Sequence, residues 1–303
     1  LKFLIIIPAH NEQSNIALCL ESLKNQNFQD FLCVIVNDGS TDNTQQIVEQ
    51  FIGSASNFQL MSLNVSGHEP GAKVVRTFNA GLASVHWRSF DVICKYDADI
   101  VFPQDYLEKV NQAFDSNPKA GLVSGLVYIR NYKQNPEVKN LRHANENWSD
   151  FSNRNQEWIF ENLSSKNHVR GPIKAYRKSC FEEINGLRAV LGWDNLDVLL
   201  AKMHGWEAVT VKSLWVKHLR PTAYKYKAQK AEKLGQYFYN IGLSWPLAMI
   251  SSAKSSFKNR STKEFFITIH SFLRQKEPRN LTGEEIKFIR NLRWKEFFKN
   301  FGL

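Results

Sequence analysis

Asp91-Val-Ile-Cys-Lys-Tyr-Asp-Ala-Asp-Ile100 is an apolar, strand-like run that ends abruptly in two carboxylates, Asp97 and Asp99, separated by one small residue. At the C-terminal end of a parallel strand, two acids so spaced face the crevice in which open α/β sheets bind ligands. They offer hard oxygen atoms suited to Mg2+ or Mn2+. Read plainly, the same residues form a solvated strand-to-helix turn, with Asp99 or Asp105 capping the helix that follows.

On both sides of this run, short β-branched segments alternate with segments of helical period. Residues 2–7, 31–36, 58–63, 91–96 and 121–127 read as strands. Between them Ile16, Cys19, Leu20 and Leu23, then Ile47, Val48 and Phe51, then Val74, Val75, Phe78 and Leu82 recur at the spacing of one helix face. The alternation predicts an α/β fold with a mostly parallel central sheet and right-handed crossovers. The first strands are apolar throughout, as expected where helices cover both faces of the sheet.

Functional loops in such a sheet follow the strands. After the first comes Pro8-Ala9-His10-Asn11-Glu12, which places an acid at the crevice. After the second comes Asn37-Asp38-Gly39-Ser40-Thr41-Asp42, an Asx-type turn in which Thr41 or Asp42 caps a helix. That turn leaves Asp38 unexplained. After the third, the stretch from Gly71 to Gly81 opens a helix with small residues and two cations, Lys73 and Arg76. Such a start either accepts a diphosphate or is turn punctuation beside solvated charges.

Taken together, Pro8-Ala9-x-x-Glu12, Val36-Asn-Asp-Gly-Ser-Thr-Asp42, the helix from Gly71 to Gly81 and Asp97-Ala-Asp99 resemble the nucleotide-sugar half of a family 2 glycosyltransferase with the GT-A fold. Four motifs in register, each after its own strand, make the resemblance specific. It implies that Asp38 hydrogen-bonds the nucleotide base and that Pro8, Ala9 and Glu12 line the nucleoside pocket. It implies Lys73 at the diphosphate, Asp97 beside the ribose or a metal-bound water, and Asp99 as ligand of the Mn2+ or Mg2+ that bridges the diphosphate.

Downstream the pattern fades. Residues 128–168 are polar and Asn-rich, with Trp148, Phe151, Trp158 and Phe160 interleaved, and fit no element pattern; the resemblance puts the acceptor side here. Residues 169–187 read as a strand, a short helix and a glycine stop, and match the family's stretch beneath the donor sugar. In Leu191-Gly-Trp-Asp-Asn-Leu-Asp-Val-Leu-Leu200, Asp194 reads by itself as an N-cap. Inverting family members carry their catalytic base at this element, as Glu-Asp before a helix; Trp193 replaces the Glu here. The resemblance therefore favours Asp194 as base over Asp197, one turn into the helix. A last β-branched run, 207–216, leads into Lys217-His218-Leu219-Arg220-Pro221. By the resemblance His218 is a further metal ligand, for which neutral imidazole suits Mn2+, and Arg220 faces the diphosphate.

A chain of 303 residues buries a large core without staples. Cys19, Cys33, Cys94 and Cys180 show no metal-ligand spacing, and three lie in or beside apolar runs, as buried thiols in a reducing compartment do. The only N-terminal apolar run, Phe3 to Ile7, is too short for a signal peptide or a membrane span. The net charge of +10 is uneven: residues 1–218 hold 22 Lys and Arg against 23 Asp and Glu, residues 219–303 hold 17 against 6. The basic character belongs to the tail. Residues 224–240, 263–274 and 283–301 read as helices, with a Pro-broken segment at Trp245-Pro246. In the last, Ile286, Ile289, Leu292, Phe297 and Phe301 lean one way and Lys287, Arg290, Arg293 and Lys299 another. That suits either peripheral contact with an anionic membrane or a helical cap docked on the catalytic domain.

The chain is thus expected to hold a GT-A catalytic domain over 1–220, its nucleotide-sugar half at 1–127 and acceptor-side half at 128–220, followed by a basic helical extension over 221–303. The expected function is inverting, metal-dependent transfer of a sugar from a nucleotide-diphosphate sugar to a glycan or lipid-linked acceptor, in the cytoplasm or at the inner face of the membrane. No nucleic-acid partner is expected, because the tail holds no recognisable nucleic-acid module. The alternatives are a non-catalytic GT-A scaffold binding a membrane or polyanion through its tail, and a nucleotidyltransferase. Against the latter stands the missing glycine-rich, Arg-containing phosphate loop after the first strand.

Overall fold

Most of the β-branched runs become strands and most of the periodic segments helices in the computed structural model, which describes residues 1–53, 55–64, 71–131, 149–163, 165–220 and 229–299. Trp148, Pro221, Tyr224 and Phe301, named above, lie outside these ranges. In chain order the elements are β1 (Phe3–Ala9), α1 (Ile16–Lys24), β2 (Phe31–Asp38), α2 (Thr44–Ile52), β3 (Phe58–Leu63), α3 (Ala72–Ala83), β4 (Val92–Tyr96), β5 (Ile100–Val101), α4 (Tyr106–Ser116), β6 (Ala120–Arg130), β7 (Trp158–Phe160), β8 (Ile173–Arg177), α5 (Lys178–Glu183), α6 (Trp193–Met203), β9 (Glu207–His218), α7 (Lys230–Asn240), α8 (Trp245–Asn259), α9 (Thr262–Arg274) and α10 (Gly283–Lys299). The chain divides into two units: 1–68 with 76–187 and 204–222, and 69–75 with 188–203 and 223–303.

The first unit is built on one sheet with strand order β3-β2-β1-β4-β8-β6-β9-β5, and β7 beside β6. β1 pairs in parallel with β2 and with β4, and β2 with β3. Strand order therefore reverses between β1 and β4, which opens a crevice at their C-terminal ends. β8 enters antiparallel between β4 and β6, with Lys174 opposite Lys95. Period alone does not show this insertion, since a short apolar run reads the same in either direction. β6 and β9 are parallel again, and the short β5 pairs antiparallel with the end of β9.

The core forms where the sequence period predicts it. Ile16, Cys19, Leu20 and Leu23 bury one face of α1, and Tyr96, Phe102 and Tyr106 pack tilted or edge-to-face with ring centroids 4.9 to 6.0 Å apart. Gln26 ties α1 to the start of α4: its Nε2 donates to Pro103 O at 2.8 Å, and its Oε1 accepts from Leu107 N at 2.9 Å. α3 meets the sheet at Gly81, where an added Cβ would stand 2.5 Å from Val36 Cγ2 and 2.9 Å from Ile6 Cγ2. All four cysteines are buried thiols.

The second unit is helical. Gly235 on α7 lets α9 approach so closely that a Cβ there would stand 2.3 Å from Thr268 O. Pro246 begins α8 rather than breaking a helix, because the first turn leaves its N–H groups without helical partners anyway. A reciprocal cap starts α10: Thr282 N donates to Glu285 Oε2 at 2.7 Å, and Glu285 N to Thr282 Oγ1 at 3.2 Å. Two of the α10 cations are half-buried: Arg290 donates to Gly242 O at 2.9 Å, and Arg293 pairs with Glu296 at 3.1 Å. Among the described residues no helix is long and apolar enough to cross a membrane.

Candidate active site

The loops leaving β1 and β4 at the crevice carry the acids singled out in the sequence. The loop after β1 is pinned onto the loop after β2. Asn11, at φ 55°, donates from its N–H to Ser40 Oγ at 3.0 Å and accepts from Thr41 N at 2.8 Å. Glu12 N donates to Thr44 Oγ1 at 2.7 Å and Gln13 N to Asp42 Oδ2 at 3.2 Å. Asp42 also accepts from Thr44 N at 3.0 Å, an Asx turn just ahead of α2, whose N-cap position is Asn43 and not Thr41 or Asp42. This bracing buries Glu12. Pro8 and Ala9 end β1 beside Val36 and Asn37, past Ile6, where pairing with β4 stops. Asp38 closes β2 as a buried carboxylate; Thr77 Oγ1 donates to its Oδ2 at 3.0 Å, and its carbonyl lies 2.7 Å from His10 Nδ1.

Beyond β4, Asp97 pairs with the buried Lys95 ammonium, and its N–H donates to Pro172 O at 2.9 Å. Asp99 is no helix cap; the N-cap position of α4 is Asp105, whose carboxylate lies 2.5 Å from Lys109 Nζ. Instead the pairing of Ile100 with His218, and a bond from Leu219 N to Asp99 O at 2.9 Å, bring the end of β9 against Asp99. His218 Nε2 lies 3.5 Å from Asp99 Oδ1. On the other side of the ring, His218 Nδ1 lies 3.3 Å from Glu161 Oε2. Arg170 anchors Glu161, donating from Nη2 to the same oxygen at 2.8 Å and from Nη1 to Glu161 O at 3.2 Å. Arg220 bridges Glu12 and Asp99, the latter at 3.3 Å from Oδ2, while Asn15 Nδ2 donates to Glu12 Oε2 at 2.9 Å.

Charge and burial act together on these groups. Burial, and then the negative Asp99, push the Glu12 carboxyl up to about 7 against the pull of Arg220 and Asn15. For Asp99, burial works against the charge, yet His218 and Arg220 outweigh it and hold the carboxyl below its ordinary range. Burial likewise opposes a charged His218, but Asp99 and Glu161, one at each ring nitrogen, push it up to about 10. A buried ionic chain of this kind is weak evidence for stability; what it provides is fixed geometry.

Among the described residues no three His, Cys, Asp or Glu side chains are grouped to hold a metal ion. Asp99 Oδ1 and His218 Nε2 are the facing donor atoms there, and His218, held charged by its two carboxylates, would take up an ion only by giving up its Nε2 proton. Adjacent ligands of an octahedral Mg2+ or Mn2+, each at about 2.1 Å, stand about 3 Å apart. Asp99 Oδ1 and His218 Nε2, at 3.5 Å, need to close by only about half an ångström to share such an ion.

The fold thus brings together Glu12, Asp97, Asp99, His218 and Arg220, with Asp38 at the end of the adjacent strand. Glu161, Arg170 and Asn15 join them without having been singled out in the sequence. Asn15 lies three residues after Glu12, a one-turn spacing from which it could have been found; Glu161 lies in the stretch that fits no element pattern. In the second unit, Lys73 is in the first turn of α3 and Asp194 in the first turn of α6. α6 starts at Trp193, after Gly192 at φ 90°, so Asp194 is inside the helix and not at its N-cap. Asp197 is buried one turn on, its Oδ1 accepting from Val198 N at 2.7 Å.

A mostly parallel sheet, flanked by helices and followed by C-terminal helices, with acids at its strand-order reversal, is the architecture of GT-A glycosyltransferases. Staphylococcus aureus TarS 1-349 in complex with UDP-GlcNAc superposes with a TM-score of 0.59 at 17% identity, over 97% of this chain and 83% of that one. The mannosyltransferase PcManGT from Pyrobaculum calidifontis, in complex with GDP-Man and Mn2+, gives 0.55 at 16% identity, over 97% and 74%. The family model "Glycosyl transferase family 2" matches residues 4–184, more than half of the chain, and the chain belongs to that family. Among curated relatives, a poly-beta-1,6-N-acetyl-D-glucosamine synthase of Staphylococcus epidermidis is 29% identical over 42% of this chain and 28% of its own length. The minor teichoic acid biosynthesis protein GgaA of Bacillus subtilis is 30% identical over 46% of this chain and 31% of its own. The match thus spans less than a third of either relative.

Proposed function

We propose that this chain is an inverting, metal-dependent glycosyltransferase that moves a sugar from a nucleoside-diphosphate donor to a hydroxyl of a glycan or lipid-linked acceptor. The observation that carries it is the meeting of Glu12, Asp99, His218 and Arg220 at the crevice between β1 and β4, in a member of family 2. Asp38, oriented by Thr77, accepts a hydrogen bond from the base, and Pro8, Ala9 and Glu12 bound the nucleoside pocket. Asp97 would stand by the ribose or a metal-bound water; Lys73 and Arg220 would face the diphosphate charge. Asp99 and His218 would hold Mn2+ or Mg2+, whose charge would neutralise the diphosphate leaving group. Asp194 takes the proton of the acceptor hydroxyl as its oxygen attacks the anomeric carbon opposite the departing diphosphate. Catalysis is then positioning and charge stabilisation.

Residues 1–127 would form the donor half of a catalytic domain ending near 220, residues 128–220 its acceptor half, and 221–303 a basic helical extension. The names of the relatives, a polysaccharide synthase and a teichoic acid biosynthesis protein, support polysaccharide or lipid-linked glycan synthesis; the proposed place of work is the cytoplasm or the inner face of the membrane. The test is release of nucleoside diphosphate from UDP-, dTDP-, GDP- and CDP-sugars in the presence of Mn2+, with the anomeric configuration of any product read by NMR. Release from one donor, absent in Asp99→Ala and accompanied by inversion, is expected. Release from none, or a retained configuration, contradicts the proposal.

A further inference from the structure

α8 and α9 are joined by Arg260 and Ser261 alone, and so form an antiparallel helical hairpin within the second unit. Each buries one side. On α8 that side holds Leu247, Ala248, Ser252 and Ser256; on α9 it holds Thr268, Ser271 and Phe272. Outside those positions the two helices are unusually apolar where they are exposed: Trp245, at the start of α8, is 64% exposed, Phe257 89%, Phe266 69% and Leu273 66%. Large side chains of this kind scattered singly need no explanation, but here they are aligned. Trp245, Met249, Ala253 and Phe257 follow one another at four-residue steps along α8, a strip that turns by about 40° at each step from the seam outward. Phe266 and Leu273, seven residues apart, leave α9 from nearly the same side.

The two strips open in the same direction. Ser252 Oγ donates to Phe265 O at 3.4 Å, so Ser252 and Phe265 mark the seam between the helices. At 100° per residue, Met249 and Ala253 lie just outside Ser252 and Ser256 on α8. Phe266 and Leu273 lie just outside Phe265 and Ile269 on α9. Because the helices run in opposite directions, both steps lead to the same side of the hairpin, away from its packed face. Cations border the resulting band: Lys254 and Lys258 on the α8 edge, Lys263 and Arg274 on the α9 edge, all exposed. Over residues 245–276 the chain carries six Lys and Arg and a single carboxylate, Glu264.

We infer that the α8–α9 hairpin is a docking surface for an anionic phospholipid bilayer. An apolar ridge entering the acyl boundary, with lysines and an arginine level with the headgroups, matches an interfacial helix pair. A second copy of this chain fits the same face poorly, because pairing would set its unbalanced cations against each other. The inference is independent of donor and acceptor chemistry. It assigns contact to a face other than α10, whose Arg290 and Arg293 are engaged within the unit.

The experiment is co-sedimentation of the full chain with vesicles of phosphatidylcholine alone or mixed with phosphatidylglycerol. Binding to the mixed vesicles, weakened by added salt, is expected. The pair Phe257→Ser and Phe266→Ser should reduce partitioning at least about tenfold, and the pair Lys258→Glu and Lys263→Glu by a similar factor. All four side chains are exposed, and unchanged circular dichroism verifies the fold of each variant. Lipids brominated in the acyl chain should quench a part of the tryptophan emission that Trp245→Phe removes. Failure of the wild type to bind mixed vesicles overturns the inference, as does binding that survives both pairs of substitutions. A dimer that the phenylalanine pair disperses, with vesicle binding intact, assigns the face to a second copy instead.

Discussion

Glu161 and His218 face each other with Oε2 of the one 3.3 Å from Nδ1 of the other. The opposite ring nitrogen is thereby aimed at Asp99. A carboxylate behind an imidazole orients the ring and fixes which nitrogen is presented. Glu161 in turn is held by Arg170, so a chain of two buried side chains sets the position of His218.

If that chain positions His218 for a metal ion, Glu161→Gln should weaken Mn2+ affinity about 10- to 100-fold, as read by electron paramagnetic resonance titration. Glu161→Ala leaves Arg170 buried and unpaired and should also destabilise the fold, by about 3–5 kcal/mol. The pair Glu161→Leu with Arg170→Met separates the two roles: stability should return while Mn2+ affinity stays low. Wild-type affinity in that pair would show Glu161 to be structural only.

Asp194→Asn removes the proposed base while changing little in shape. Transfer to acceptor should fall by about 10²- to 10⁴-fold, with calorimetric affinity for the nucleoside diphosphate unchanged. A fully active variant removes Asp194 from the mechanism, and Asp197→Asn is then the next substitution to assay.

Gly81→Ala tests the packing that carries α3. Alanine improves helix propensity by about 1 kcal/mol, but its Cβ meets Val36 and Ile6 methyl groups at 2.5 and 2.9 Å. Both residues are β-branched and stiff. Overpacking should prevail, for a net loss of about 1–2 kcal/mol in urea unfolding. A gain in stability would show that the sheet face yields there.

Much of the crevice is legible from local pattern. Glu12, Asp38, Asp97 and Asp99 each follow a β-branched run, and local period alone places them at strand ends. Partnerships between distant segments are not legible in this way. Glu161 meets His218 across 57 residues of sequence, through the pairing of β7 with β6 and of β6 with β9, and nothing in its own neighbourhood announces a site. A helical projection shows Arg290 and Arg293 on a polar side of α10 but not the carbonyl and carboxylate that engage them. Pro246 reads as a breaker because the pattern does not reveal that the helix starts beside it.

The most direct test of the account is calorimetric titration of UDP, dTDP, GDP and CDP, each with and without Mn2+, into the wild type and Asp99→Ala. One diphosphate binding the wild type only in the presence of Mn2+, and not binding Asp99→Ala, is the predicted result. Failure of all four to bind under either condition, or equal binding by the two proteins, would contradict it.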